Sequence, residues 1–206
     1  MLPGLIKYDK IGAFALTEPN YGSDATSMDT FAFKATDGRD GWILNGKKRW
    51  IGNATIADYI VVWAKNKDDR DKIQGFVVEK GSAGLTTKKI SGKMSLRLVV
   101  NADITMENVF VPSHNKLKKA TNFEKSCGPV LAKSRMAVAW QNASLACGAY
   151  ESTIKYCLER KQFGRPIAQH QIVQQKLSHM LANCEFAVSF LVYATKRLME
   201  GKLTMG

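Results

Sequence analysis

The chain has 206 residues, 45% hydrophobic and 23% charged, a globular composition that excludes a disordered or collagen-like chain. That length suits one large domain or two small ones. Lys and Arg number 30 against 18 Asp and Glu, and the net charge of +12 favours anionic partners: nucleotides, phosphate-bearing coenzymes, nucleic acid or a membrane surface.

Taken in order, the first residues carry no signal-peptide apolar core. Residues 11–111 then read as β structure. Short apolar runs at 11–16, 31–35, 42–44, 59–64, 76–78 and 99–106 are rich in Ile, Val, Phe and Trp and separated by turn residues. Asn45-Gly46, between Trp42-Ile43-Leu44 and Arg49-Trp50-Ile51, predicts a two-residue hairpin turn. Many short strands at close spacing predict a barrel or sandwich. After Pro112, a connector with Lys116, Lys118 and Lys119 leads into a helical pattern over residues 124–160. Phe163-Gly164-Arg165-Pro166 breaks it, and a second helix is predicted over 168–200, with Val173, Leu177, Met180, Leu181, Cys184, Val188, Leu191 and Val192 on one stripe. The first helix carries Leu131, Val138, Leu145, Tyr150, Ile154 and Leu158 at helical spacing, and one helical hairpin cannot cover both stripes, so further helices are expected to pack on it. No run approaches 18 uninterrupted apolar residues, so no membrane span is expected. The four cysteines (Cys127, Cys147, Cys157, Cys184) form no CxxC pair; reduced core thiols are expected, and no metal site.

Three segments can carry chemistry. Leu16-Thr17-Glu18-Pro19-Asn20-Tyr21-Gly22-Ser23-Asp24 follows a strand and offers hydroxyls and backbone N–H groups beside Gly, which suits a phosphate or the polar edge of a heterocycle; the alternative is a polar turn bonding its own backbone. Around Trp50, an aromatic wall for a planar group competes with simple core packing. In Arg160-Lys161-Gln162-Phe163-Gly164-Arg165-Pro166, arginines able to fork onto a pyrophosphate compete with an exposed cationic helix end.

Together, Leu16-Thr17-Glu18-Pro19, Gly22-Ser23-Asp24, Asn45-Gly46-Lys47, Trp50-Ile51, Arg135 and Arg160-Lys161-Gln162-Phe163-Gly164 resemble the acyl-CoA dehydrogenases and oxidases, in the same order. Phe14-Ala15-Leu16-Thr17-Glu18-Pro19-Asn20, Val138-Ala139-Trp140-Gln141 and Gln174-Gln175-Lys176-Leu177 are most similar to the glutaryl-CoA dehydrogenase branch, which includes a plant-type short-chain acyl-CoA oxidase. The resemblance implies a multidomain α and β protein. Residues 1–10 would be the tail of an N-terminal helical domain, 11–115 a central antiparallel, barrel-like β domain, and 116–206 the first two helices of a C-terminal helical bundle. The chain would then be a fragment, truncated at both ends.

The implied cofactor is FAD. Phe14, Leu16, Thr17, Gly22, Ser23, Trp50, Ile51 and Gly52 would line it, with Thr17 bonding the isoalloxazine edge. Arg160 and Gln171 would reach the FAD of a neighbouring subunit in a homo-oligomer, dimer or tetramer. Ser23, Gly128, Ser134 and Arg135 would contact an acyl-CoA substrate, with electron-transfer flavoprotein or O₂ as acceptor and the mitochondrial matrix or peroxisome as compartment. Two departures stand out. Gly52 has no hydroxyl where the family often has Thr or Ser, which favours an oxidase. The family's catalytic base, a Glu before Gly-Thr, lies beyond this chain, and neither Glu18 nor Glu151 takes that role. Two other readings compete: a non-catalytic truncated product or FAD/CoA-binding remnant, and a nucleic-acid binder. The latter rests on charge alone, since no nucleic-acid motif accompanies Lys88, Lys89, Lys93 and Arg97.

Overall fold

The computed structural model describes residues 1–204. A short helix α1 (Leu2–Ile6) precedes seven strands: β1 (Gly12–Ala15), β2 (Phe31–Lys34), β3 (Gly41–Gly52), β4 (Tyr59–Asn66), β5 (Lys72–Glu79), β6 (Leu85–Lys89) and β7 (Asn101–Pro112). Helix α2 (Phe123–Glu159) follows, then a two-stranded turn of β8 (Lys161–Gln162) and β9 (Arg165–Pro166), then helix α3 (Gln171–Met199). The chain divides into two compact units, Met1–Gly128 and Pro129–Gly206.

In the first unit the strands form one curled, mixed sheet in the order β1-β4-β2-β3-β7-β6, with β5 on the other edge of β4. The expected barrel-like domain is present, and the β2–β3, β3–β7, β4–β5 and β6–β7 pairings are antiparallel. Two pairings are parallel. β1 runs beside Tyr59–Val62 and β2 beside Lys65–Asn66 of β4. The chain reaches β4 only after crossing through β2 and β3, a connection too long for a hairpin and suited to parallel pairing. Residues 16–30 therefore form a loop between β1 and β2. Alternation buries Ile104, Met106, Val109 and Val111 of β7 against Leu44, Ile51, Ile60, Val62 and Phe76. β5 is buried from Ile73 to Val78 on both faces because residues 116–120 cover it, with Leu117 N donating to Gly75 O at 2.9 Å. A Cβ on Gly75 would sit 2.8 Å from both Leu117 and the Trp63 ring.

The predicted Asn45-Gly46 hairpin does not form. Residues 41–52 are one strand paired with β7 from Gly41↔Pro112 to Gly52↔Asn101, with a register slip between Leu44 and Gly46. The Asn45 amide bonds Asn108 through both of its ends (3.1 and 2.9 Å), and Asn108 itself has φ 52°. Asn-Gly thus supplies a β-bulge, which increases local twist and curls the strand. β6, Leu-Thr-Thr-Lys-Lys, was not predicted, because an edge strand with one half-buried side offers little apolar signal.

In the second unit the helices form the expected antiparallel pair. Trp140 Nε1 donates to Thr195 Oγ1 at 3.0 Å, while Cys184, Leu191 and Ala194 are buried. Phe163 (φ 53°) and Gly164 (φ 77°) make the turn between β8 and β9, as a tight hairpin with two positive φ values requires. Among the described residues, α3 alone has the length and hydropathy to cross a bilayer, which a search for an unbroken apolar run does not flag. Gln174, Gln175, Lys176, His179, Asn183 and Glu185 interrupt it, the pattern of a bundle helix.

Gly46 holds φ 144°, and a Cβ there would lie 2.4 Å from Thr30 Oγ1 and 2.7 Å from Thr30 Cα. Gly46→Val in the full-length protein is expected to lower stability by about 2 kcal/mol or more. Urea unfolding checks this, and a change within about 0.5 kcal/mol would refute the close approach.

Candidate functional site

The 16–30 loop is pinned to β3 by a buried ion pair. Lys48 is fully buried, and its ammonium donates to Glu18 Oε1 (2.9 Å) and Leu16 O (3.0 Å), with Met28 Sδ at 3.7 Å. Three acceptors around one nitrogen match the three protons of an ammonium. Glu18 also accepts from Asp29 N (2.6 Å) and Thr30 N (3.0 Å), so its carboxylate joins both ends of the loop. Burial pushes the Glu18 carboxyl up. Lys48 and the hydrogen bonds from Thr30, Lys48 and Asp29 outweigh burial and hold it below its ordinary value near 4.5. Burial pushes the Lys48 ammonium below its ordinary value near 10.5, with Glu18 opposing. Cys127 lies close enough to feel Lys48, yet burial raises its thiol to about 11 and leaves it unreactive. This pair was not among the sequence candidates. Lys47-Lys48-Arg49 reads as a charged turn until residues 41–52 are known to be one strand.

One residue further, Arg49 N donates to Thr17 O at 2.8 Å, joining the start of the loop directly to β3. A second register slip, between Lys48 and Ile51, sets Arg49 and Trp50 against Asp103 alone. Trp50 takes φ 63°, a left-handed conformation costly for a bulky residue, and the bulge turns its indole outward, half exposed. The Arg49 guanidinium lies 5.1 Å from the Trp50 ring centre and pairs with Asp103 at 3.3 Å. Ile51 returns to the core.

The structure thus brings together Phe14, Leu16 and Thr17 with Trp50, Ile51 and Gly52. Leu16 and Ile51 are core residues beneath; Phe14 is partly exposed, its ring 5.7 Å from that of Trp63. Gly22 and Ser23 lie in the exposed part of the loop, and a Cβ on Gly22 would meet nothing within 4 Å. Among the described residues, neither the Thr17 nor the Ser23 hydroxyl has a hydrogen-bond partner. Free hydroxyls, an outward indole and open glycines fit a flat, polar-edged ring lying along this strip. A basic pocket of about 390 Å³ beside it includes Pro19, Lys47, Arg49 and Lys88.

The remaining candidates are on the helices and the turn between them. Gly128 ends the first unit, within α2. Ser134 and Arg135 are exposed on α2 in the second unit, with Ser134 Oγ donating back to Leu131 O at 2.9 Å. Arg160 and Gln171 share the turn end of the helix pair, both exposed; Ile167 N donates to Arg160 O at 2.8 Å. The basic stretches are partly structural: the Lys93 ammonium is taken up by its own loop, and Lys116 lies 4.3 Å over the Trp42 ring.

Because the folded-state pKa of Glu18 is lowered, its contribution to stability is complete above about 4.5 and is lost as pH falls through the lower folded value. Lys48, also lowered, makes stability rise with pH only between its lowered folded value and 10.5, so the acid range reports Glu18. Lys48→Met strands Glu18 in the core and is expected to cost the full-length protein about 3–5 kcal/mol, with Glu18→Gln/Lys48→Met costing less. Urea unfolding across the acid range tests this. A Lys48→Met protein within about 1 kcal/mol of the parent contradicts the pinning.

The family model described as acyl-CoA dehydrogenase, middle domain, matches residues 13–109, and the acyl-CoA dehydrogenase C-terminal domain matches residues 128–205. The chain is 38% identical to the caffeyl-CoA reductase-Etf complex subunit CarC of Acetobacterium woodii, over 92% of this chain and 50% of that protein. It is 33% identical to the mitochondrial 2-methylacyl-CoA dehydrogenase of Solanum tuberosum, over 98% and 49%. A glutaryl-CoA dehydrogenase from Mycobacterium smegmatis, solved in complex with FADH2, superposes with a TM-score of 0.88 at 32% identity, over 95% of this chain and 49% of that one. The chain spans about half the length of the curated relatives it matches. With both domain matches in order, and a fold and sequence shared with these proteins, the chain belongs to the acyl-CoA dehydrogenase family.

Proposed function

We propose that the whole protein is an FAD-dependent enzyme that introduces an α,β double bond into an acyl-CoA thioester, giving the 2-enoyl-CoA. The observation that carries this reading is the junction of the Thr17 loop with the Trp50 bulge through Arg49 N and Thr17 O, on a chain of this family. When bound, FAD supplies the acceptor for the β-hydride. The residues here do the rest of the work at its edge. Thr17, with its free hydroxyl, donates to the polar rim of the ring system; Trp50 and Phe14 provide aromatic faces; Gly22 and Gly52 leave room for close approach.

Ser23, free and exposed, contacts both cofactor and thioester in this reading, and Gly128, Ser134 and Arg135 contribute from α2. Arg160 and Gln171 serve the FAD of a second copy in a dimer or tetramer, with the Arg160 fork suited to pyrophosphate. The α-proton of a thioester is weakly acidic, so its removal needs a carboxylate base and a carbonyl polarised by hydrogen bonds. We assign the base to a Glu outside these 206 residues, in keeping with a chain that spans half its relatives and with the exposed helix faces around Leu145, Phe186 and Phe190, which further bundle helices would cover. Residues 1–10 then belong to an N-terminal helical domain, 11–115 to the central β domain and 116–206 to the bundle. Electron-transfer flavoprotein or O₂ takes the electrons, in fatty-acid β-oxidation or amino-acid catabolism, in the mitochondrial matrix or the peroxisome; Gly52, without a hydroxyl, is the feature that favours O₂. Similar proteins include both mitochondrial and bacterial members.

The full-length protein is expected to be yellow and to oxidise acyl-CoA. Thr17→Val should weaken FAD retention about ten-fold, the worth of one hydrogen bond to the ring edge. Equilibrium dialysis with FAD and acyl-CoA turnover check this; unchanged retention and turnover would overturn the assignment of Thr17.

A further inference from the structure

We propose that Lys93 and Asn101 are positioning residues that hold the Trp50 bulge in its left-handed conformation and thereby set the environment of the flavin, an inference whose second half rests on the FAD reading above. Neither residue was a site candidate.

Trp50 has φ 63°, a conformation that bulky side chains avoid, and Asn53, a residue that tolerates it, has φ 63° as well, with Ile51 and Gly52 between them. Such strain persists only where the surroundings over-determine it. Here the determinants are the first residue of β7, Asn101, and the loop that joins β6 to it. The Asn101 side-chain amide donates from Nδ2 to Trp50 O at 2.9 Å. Its Oδ1 accepts from the Lys93 ammonium at 2.6 Å, which fixes which way the amide faces. Lys93 spends its two other protons on Leu96 O (2.8 Å) and Val99 O (2.7 Å), and Arg97 Nε donates back to Lys93 O (2.9 Å). The loop is thereby cross-braced on one ammonium. The far side of the bulge is tied to the same loop, since Asn53 N donates to Val100 O at 2.8 Å.

Two consequences follow from the chemistry. A cation on Oδ1 polarises the amide, so Nδ2 is a stronger donor to the Trp50 carbonyl than an unassisted Asn would be. The peptide that carries this bond runs from Trp50 to Ile51, so releasing it frees the indole and the backbone leading to Gly52 together. Lys93 is sequence-distant from Trp50 and only partly buried, yet its charge reaches the bulge through a single side chain.

The test uses the full-length protein in two states. Without flavin, the emission of Trp50 is obtained as the difference between each protein and its Trp50→Phe counterpart, and its quenching by acrylamide is measured. Asn101→Leu and Lys93→Met should each change the Trp50 emission and its quenching, whereas Lys93→Arg, which keeps a cationic donor, should restore the parent behaviour. Lys93→Met decides the matter if Asn101→Leu fails to fold. With FAD bound, the same two variants should shift the flavin reduction potential and absorption band. A Trp50 signal identical to the parent in folded Lys93→Met overturns the tether. A changed Trp50 with an unmoved flavin potential overturns the link to the cofactor. If the unsubstituted protein takes up no FAD, the functional reading fails on its own, and the flavin-free measurement still decides the tether.

Discussion

A carboxylate and an ammonium buried together constrain everything built around them. Separated, either Glu18 or Lys48 would be a bare charge in the core, and neither arrangement is tolerable at neutral pH. The pair therefore acts as a clamp between two parts of the chain 30 residues apart. It also gathers Leu16 O, Asp29 N and Thr30 N, so the polar backbone at the root of the loop is satisfied where no sheet ladder is available. The loop can then present hydroxyls and glycines outward because its base is held from within.

The second constraint is the curl of β3. A strand with two register slips cannot stay flat, and both slips fall where the chain does something other than pair. The Gly46 slip gives β3 room against Thr30, and the Trp50 slip ejects an aromatic side chain from a run that would otherwise alternate into the core. Lys48 sits between them, on the inner face. Clamp and bulge are thus neighbours on one strand, and the Arg49 backbone bond to Thr17 makes a single strip of two distant segments.

Much of this was legible in the residues. The apolar runs predicted β1, β2, β4 and β7, where burial on one face is what the pattern reports, and helical spacing predicted α2 and α3 although Val138, Leu145 and Leu158 of α2 are exposed. The loop and Trp50 were singled out as candidates by resemblance; spacing alone left them as a polar turn and a core aromatic. What escaped had physical reasons. Asn45-Gly46 carries the same conformational permission in a bulge as in a hairpin, so the dipeptide could not tell them apart. Lys48 looks like surface by residue type, and only the continuity of β3 puts it inside. β6 has almost no apolar content, and Lys93 with Asn101 act through single hydrogen bonds that leave no pattern in sequence.

In the proposed function the Thr17 loop and the Trp50 bulge face the cofactor as one strip. Amide hydrogen exchange on the full-length protein, with and without FAD, addresses it most directly. FAD is expected to slow exchange jointly at residues 16–23 and 50–53, including amides on both sides of the Arg49–Thr17 bond. FAD binding that leaves both segments unprotected, or protects one without the other, would contradict it.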